Sequence, residues 1–257
     1  MNRIENTIKK LQEIKKKALA GYFMGGEFGI EKTVKIMHAG VHAGIDILEL
    51  GFPFSDPTAD GTTIQESAKK ALANGTKLAD IFYIVSEFRK TNTNTPIILM
   101  GYFNIVFQFG VENFLKKCKE VGIDGLIIVD LPMEESQEFE QIAQKYNIFL
   151  IQIVSFLTNK ERFSQIQDRA KGFIYLVSTL GVTGQAKPII ERIQSYIAKM
   201  QPKLPIFVGF GISSPQSAKE ISQYCDGIIV GSHFINSIRS GGVDKMVKSI
   251  KEIKEVL

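Results

Sequence analysis

The chain has 257 residues, a formal net charge of +4, 44% hydrophobic and 23% charged residues, and two cysteines. This is an ordinary globular composition with length enough for one large domain and a substantial core, and it excludes a disulfide framework. No apolar run approaches the roughly 20 residues of a membrane span, and the lysine runs Lys9-Lys10 and Lys15-Lys16-Lys17 lack interleaved stacking aromatics, so they read as solvated helix faces rather than as a membrane or nucleic-acid surface.

A polar, lysine-rich helix is predicted over about residues 2–16; it lacks the apolar centre of a signal peptide, which points to the cytoplasm. Eight short apolar runs follow, at 18–24, 45–50, 96–100, 125–129, 148–154, 172–177, 204–209 and 227–230. Their near-continuous apolarity marks strands buried on both faces, as in a parallel sheet covered by helices. Between them lie amphipathic helical stretches such as 111–121 and 135–146. The segment 61–89 is longer than one helix requires and predicts an extra helix after the second strand.

A doubly wound open sheet shares this alternation. The count of eight, and glycine turns after runs seven and eight where barrels commonly bind phosphate, favour an α/β fold of the (β/α)8 TIM-barrel class. It would form a single domain over 1–257, with an N-terminal extra helix and the extra helix after strand two.

The second run leads into Glu49-Leu50-Gly51-Phe52-Pro53-Phe54-Ser55-Asp56-Pro57-Thr58-Ala59-Asp60-Gly61. On strand alternation Ile45, Ile47 and Glu49 share the inward face, so Glu49 projects into the barrel at its rim. An apolar wall raises the pKa of a buried carboxyl, whereas Asp60, nearer water on the loop, ionises more easily. Two such groups can divide proton donation from acceptance. An ion-pair role for Glu49 and a turn role for Asp60 before Gly61 fit the residues equally well.

Further along, Tyr102 to Phe109 form an unusually apolar loop after strand three. Gly181-Val182-Thr183-Gly184 suits either a closing lid or a plain connection. Gly209-Phe210-Gly211-Ile212-Ser213 and Val230-Gly231-Ser232 look like two halves of a phosphate site, with a helix starting at Ser232; a turn glycine and a simple N-cap are the alternatives. His38 and His42 stand four apart but lack the glutamate and third ligand of a zinc site, so no metal is expected. Cys118 and Cys225 read as reduced, buried small residues.

The run from Glu49 to Gly61, with Leu99-Met100-Gly101-Tyr102-Phe103-Asn104, Asp130-Leu131-Pro132 and the two glycine motifs above, closely resembles the tryptophan synthase alpha subunit family, in order over 48–232. The resemblance implies retro-aldol cleavage of indole-3-glycerol phosphate in tryptophan biosynthesis, with no metal or organic cofactor because the indole is its own electron sink. It implies Glu49 as the group that protonates indole C3 and then deprotonates the glycerol hydroxyl, and Asp60 as partner of the indole N–H. It assigns Gly184, Gly211, Gly231 and Ser232 to the phosphate, Thr183 to Asp60 on closure, and Tyr22, Ile64, Tyr175 and Phe210 to the pocket.

The implied partner is a beta subunit, in an alpha2-beta2 complex, docked on the rim near Phe107 and Asp56. Where the family usually reads Thr, Asp and Pro after strand one, this chain has Met24, Glu27 and Phe28, and Ile105 replaces a frequent proline. Those departures keep two alternatives open: a weakly catalytic subunit that mainly activates its partner, and a lyase that works alone.

Overall fold

The computed structural model describes residues 2–177, 186–209 and 211–257. Nine parallel strands form one sheet: β1 (Ala18–Met24), β2 (Ile47–Gly51), β3 (Ile97–Gly101), β4 (Gly125–Ile128), β5 (Phe149–Leu150), β6 (Gln152–Ser155), β7 (Ile174–Val177), β8 (Ile206–Gly209) and β9 (Gly227–Val230). Their order is β5-β4-β3-β2-β1-β9-β8-β7-β6, and β1 pairs with both β2 and β9. β5 and β6 are the predicted fifth strand in two pieces. Ile151 still donates its N–H to Leu126 of β4, while Gln152 opens the ladder with β7. The run thus changes neighbours at one residue, and the sheet comes round on itself as a TIM barrel.

The helices are α1 (Arg3–Glu13), α2 (Ile30–Ala43), α3 (Thr62–Ala73), α4 (Leu78–Arg89), α5 (Phe103–Phe109), α6 (Val111–Val121), α7 (Gln137–Lys145), α8 (Lys160–Arg169), α9 (Ala186–Met200), α10 (Pro215–Ser222) and α11 (Ser232–Lys254). The extra helix after strand two is present, since α3 and α4 together span the long 61–89 segment. α1 plugs the N-terminal end of the barrel: Ile4 and Ile8 pack with Ala18, Ala20, Ile47 and Ile98 inside the sheet. It is held there by Asn2, whose side-chain amide donates to the carbonyls of Asp124 (2.9 Å) and Asn147 (3.0 Å) while its oxygen caps the helix at Ile4. The outward strand faces, Leu19, Phe23, Leu48, Leu50 and their counterparts, meet the helices in a second, larger core.

Two expectations are corrected. Ile45 does not share the inward face with Ile47 and Glu49. It lies before β2 begins and packs outward, filling the space left by the missing side chain of Gly21. The apolar rim 102–109 is the short helix α5, not a loop. No glycine or proline interrupts Phe103 to Phe109, Val106 is buried beneath the turn, and Gly110 stops the helix at φ 86°. One side of α5 is packed, with Phe109 against Phe82 and Phe114, yet Phe107 is 66% exposed.

Cys118 and Cys225 are buried and free. His38 stacks on Phe88 with ring centroids 4.5 Å apart, and His42 Nδ1 lies 2.8 Å from the His38 carbonyl, so both serve the surface of α2. Among the described residues no helix is long and apolar enough to cross a membrane.

Candidate active site

Glu49 faces into the barrel from the middle of β2, in register with Tyr22 of β1 and Ile98 of β3. It is 1% exposed, and neither carboxyl oxygen has a hydrogen-bond partner among the described residues. A charge there would lack both water and compensating donors, so burial pushes the pKa up to about 8 and the group carries its proton at neutral pH.

Asp60 stands on the loop after β2, in a turn closed by its own N–H to the Pro57 carbonyl (3.1 Å) and followed by Gly61 and the start of α3. Burial raises it to about 6, less than Glu49, because the Tyr102 hydroxyl donates to Oδ2 at 3.2 Å and favours the charged form. The same hydroxyl accepts the N–H of Ala59 at 3.0 Å, and the Tyr102 ring stacks on Phe54 at 5.0 Å. Tyr102 therefore fixes the carboxylate loop from the end of β3. The sequence places Tyr102 in a motif and at the start of the apolar rim after strand three but gives it no role in the site; a hydroxyl just past a barrel strand is the signal that singles it out.

A cavity of about 460 Å³ opens at the C-terminal end of the strands and brings together Tyr22, Glu49, Asp60, Ile64, Tyr175, Gly211, Gly231 and Ser232, every predicted site residue within the described part of the chain. Thr183, Gly184 and Phe210 lie outside the described residues. Met100, Val177, Ile229, His233 and Asn236 also line it, and sequence reasoning had not singled them out. Met100 and Ile229 follow from inward strand positions, whereas His233 and Asn236 come from the first five residues of α11.

Tyr22 and Tyr175 remain neutral hydroxyls. Burial, reinforced by Asp60 and Glu49, holds both well above their usual range. Their rings lean over the neighbouring strands, β2 and β8, because the positions beneath them have no side chain: a methyl at Gly51 would overlap the Tyr22 hydroxyl, and one at Gly209 would overlap the Tyr175 ring.

The far wall is built for an anion. α11 starts at Ser232 with Gly231 before it, and no side chain among the described residues caps it, so the first-turn N–H groups stay open toward the cavity. Gly211, at φ 40°, lies across from them after β8. A buried acid, a hydrogen-bonded carboxylate and an open helix N-terminus in one cavity suit proton transfer on a phosphorylated substrate. Among the described residues no group of three His, Cys, Asp or Glu could hold a metal.

The sequence model of the family "Tryptophan synthase alpha chain" matches residues 8–256. The tryptophan synthase alpha chain of Legionella pneumophila strain Philadelphia 1 is 44% identical over 240 residues, which cover 93% of this chain and 88% of the relative. The crystal structure of the alpha chain from Legionella pneumophila superposes with a TM-score of 0.93 at 37% identity, covering 100% of this chain and 97% of that one. A structure of the tryptophan synthase a2b2 complex from Pyrococcus furiosus, determined in a study of its mutual activation, gives a TM-score of 0.85 at 36% identity, covering 93% and 98%.

Proposed function

Because the chain belongs to the family of tryptophan synthase alpha chains, lyases that cleave indole-3-glycerol phosphate to indole and glyceraldehyde 3-phosphate, we propose that Glu49 and Asp60 divide the proton work of that reaction. The bond to be broken joins indole C3 to the glycerol chain, so its electron pair needs an acceptor. Glu49, protonated at neutral pH, gives its proton to C3 and makes the ring cationic. The carboxylate so formed takes the proton from the hydroxyl on the adjoining glycerol carbon. That oxygen becomes the aldehyde carbonyl as the C–C bond breaks, the electron pair runs to the ring nitrogen, indole leaves, and Glu49 is protonated again.

Asp60, ionised at neutral pH, accepts the indole N–H and stabilises the positive ring between these steps. Gly211, Gly231 and Ser232 hold the phosphate at the N-terminus of α11. Thr183, Gly184 and Phe210 keep their roles in this proposal by resemblance alone. Residues 1–257 act as one domain, because a single barrel supplies both carboxylates and the phosphate cradle.

The observation that carries the reading is the pair of carboxyls lining one cavity in unlike settings, Glu49 wholly buried without donors and Asp60 held by Tyr102. It favours catalysis over a purely activating subunit, for which an acid in that setting has no use. The test is indole release from indole-3-glycerol phosphate by the purified chain, alone and with a beta subunit. No release under either condition, with the beta subunit still activated, overturns the reading.

Gly209 supplies a specific expectation. Gly209→Ala should displace Tyr175 and narrow the cavity, raising KM about tenfold while the fold survives, as steady-state kinetics beside a melting curve would show.

A beta subunit is the partner in this proposal, docked on the rim formed by α5 and the loop carrying Asp56. The exposed Phe107 supports this surface, since a large apolar side chain held outward on a packed helix suits a lasting interface. Phe107→Asp should weaken beta-subunit binding about tenfold or more and leave stability within about 0.5 kcal/mol. Titration calorimetry and urea unfolding check the two halves, and equal loss of both would count against the interface. The same reading sets the protein in the cytoplasm, since its substrate is an anionic phosphate ester that does not cross bilayers unaided.

A further inference from the structure

The loop after β1, where this chain departs from the family pattern, carries Glu27, whose side chain is 1% exposed. Its Oε1 accepts a 2.7 Å hydrogen bond from Nε of Arg239, and a terminal guanidinium nitrogen of Arg239 also lies 2.7 Å away. The guanidinium also reaches α3: that same nitrogen, Nη2, donates to Ser67 Oγ at 2.9 Å and to the Thr63 carbonyl at 3.5 Å, while Nη1 donates to Glu66 Oε2 at 3.0 Å. The loop is tied to the far end of the same helix by Asn74, whose amide donates to the carbonyls of Gly26 (2.9 Å) and Glu27 (3.0 Å). Lys70 approaches Glu27 only to 3.9 Å with an exposed side chain and adds little.

One arginine thus joins three elements, and two of them line the cavity. α3 begins directly after Asp60 and Gly61 and lends Ile64 to the pocket, while α11 offers its first turn to the phosphate. Behind the cavity, α3 meets α11 largely through Ala68 and Ala71 against Ile235. The two alanines offer no long side chains to key one helix's position along the other. The planar fork of Arg239 sets that position, because its two terminal nitrogens together bind Glu66, Ser67 and the Thr63 carbonyl within one turn of α3. An aspartate at position 27, shorter by one methylene, would fall about 1.5 Å short of this reach.

We propose that Arg239, pinned by Glu27, is a positioning residue for the cleavage: it fixes the Asp60 end of α3 against the phosphate-binding turn of α11. This rests on the function proposed above. A substrate held by its phosphate at one wall and by its indole N–H at the other presents C3 to Glu49 only at one separation of the walls, and a misplacement of about 1 Å can cost about 10²-fold in rate.

Arg239→Met alone would leave a buried, unpaired carboxylate and could simply unfold the chain, so the decisive variant is Glu27→Met/Arg239→Met. Apolar side chains of similar volume in place of a buried ion pair are often close to neutral for stability. The full chain is assayed for indole release, with melting temperature and hydrogen exchange measured in parallel. The double variant should melt within about 5 °C of the parent. Its kcat should fall about tenfold with KM changed less than about threefold. Arg239→Lys, which keeps the charge but loses the fork, should lie between.

Amides of 62–67 and 232–237 should exchange about tenfold faster than in the parent, with the rest of the barrel unchanged. A kcat within twofold of the parent, or one that merely tracks the melting temperature, would overturn the proposal. Failure of the parent chain itself to release indole would instead sink the functional reading, and local exchange would still decide the clamp, unchanged rates at α3 and α11 ruling it out.

Discussion

Replacing Glu49 by glutamine should lower kcat for indole release by about 10³-fold or more. The variant keeps the shape of the side chain and loses both the proton given to C3 and the base that follows, a role worth typically 10²–10⁴-fold. The same variant tests the electrostatics of the site through stability. Glu49 is raised from an ordinary 4.5 to about 8, so the folded state holds its proton more tightly than the unfolded chain does. Its full stability is present below about pH 4.5 and is lost as pH rises through about 8, by roughly 5 kcal/mol at the limit, at 1.36 kcal/mol per tenfold change in affinity. Glutamine has no such titration. Urea unfolding from pH 5 to 9 should therefore show the parent losing stability relative to Glu49→Gln as the solution becomes alkaline; parallel curves would mean that Glu49 is not buried as described.

Asp60→Asn should cost about 10²-fold in kcat/KM, since the amide can meet the indole N–H but brings no charge to the cationic ring. With Asp60 near 6 and Glu49 near 8, the parent should show a bell-shaped kcat/KM profile, falling below about pH 6 as Asp60 protonates and above about pH 8 as Glu49 ionises. Asp60→Asn should lose the acid limb and keep the alkaline one. Tyr102→Phe separates the two in another way: removing the 3.2 Å hydrogen bond takes away the donor that favours the charged form, so the acid limb should move to higher pH. An acid limb that stays put in Tyr102→Phe would assign it to a different group.

The barrel was legible because eight apolar runs separated by amphipathic stretches can be buried on both faces in only a few ways. The core strand positions and the pairing of Glu49 with Asp60 in one cavity were legible for the same reason: strand alternation aims the first, and the short loop to Gly61 brings back the second. Ile45 shows where the pattern failed. It sits on the strand's parity, but the chain is not yet extended there, and the hole above Gly21 takes it outward. The break at Ile151 and the helical form of α5 depend on which neighbour an apolar segment meets, and sequence periodicity over seven residues does not specify that. Arg239 was invisible for a deeper reason. Its partners lie more than 170 residues away in sequence, and only the folded barrel brings Glu27, Glu66 and Ser67 within reach of one guanidinium.

The pairing of β1 with β9 bears on how the protein is made. β1 is among the first strands to leave the ribosome, yet one of its edges waits for residues 227–230, about 200 residues later in synthesis. Until then β1 to β8 form at most an open, strongly apolar sheet whose β1 border is unpaired, the kind of surface that recruits other strands. For a chain elongating at roughly 5–20 residues per second, that border stays uncovered for about 10 to 40 s. The nascent chain therefore needs shielding at β1 far more than at any later strand, and shielding factors should crosslink there preferentially on ribosome-bound intermediates.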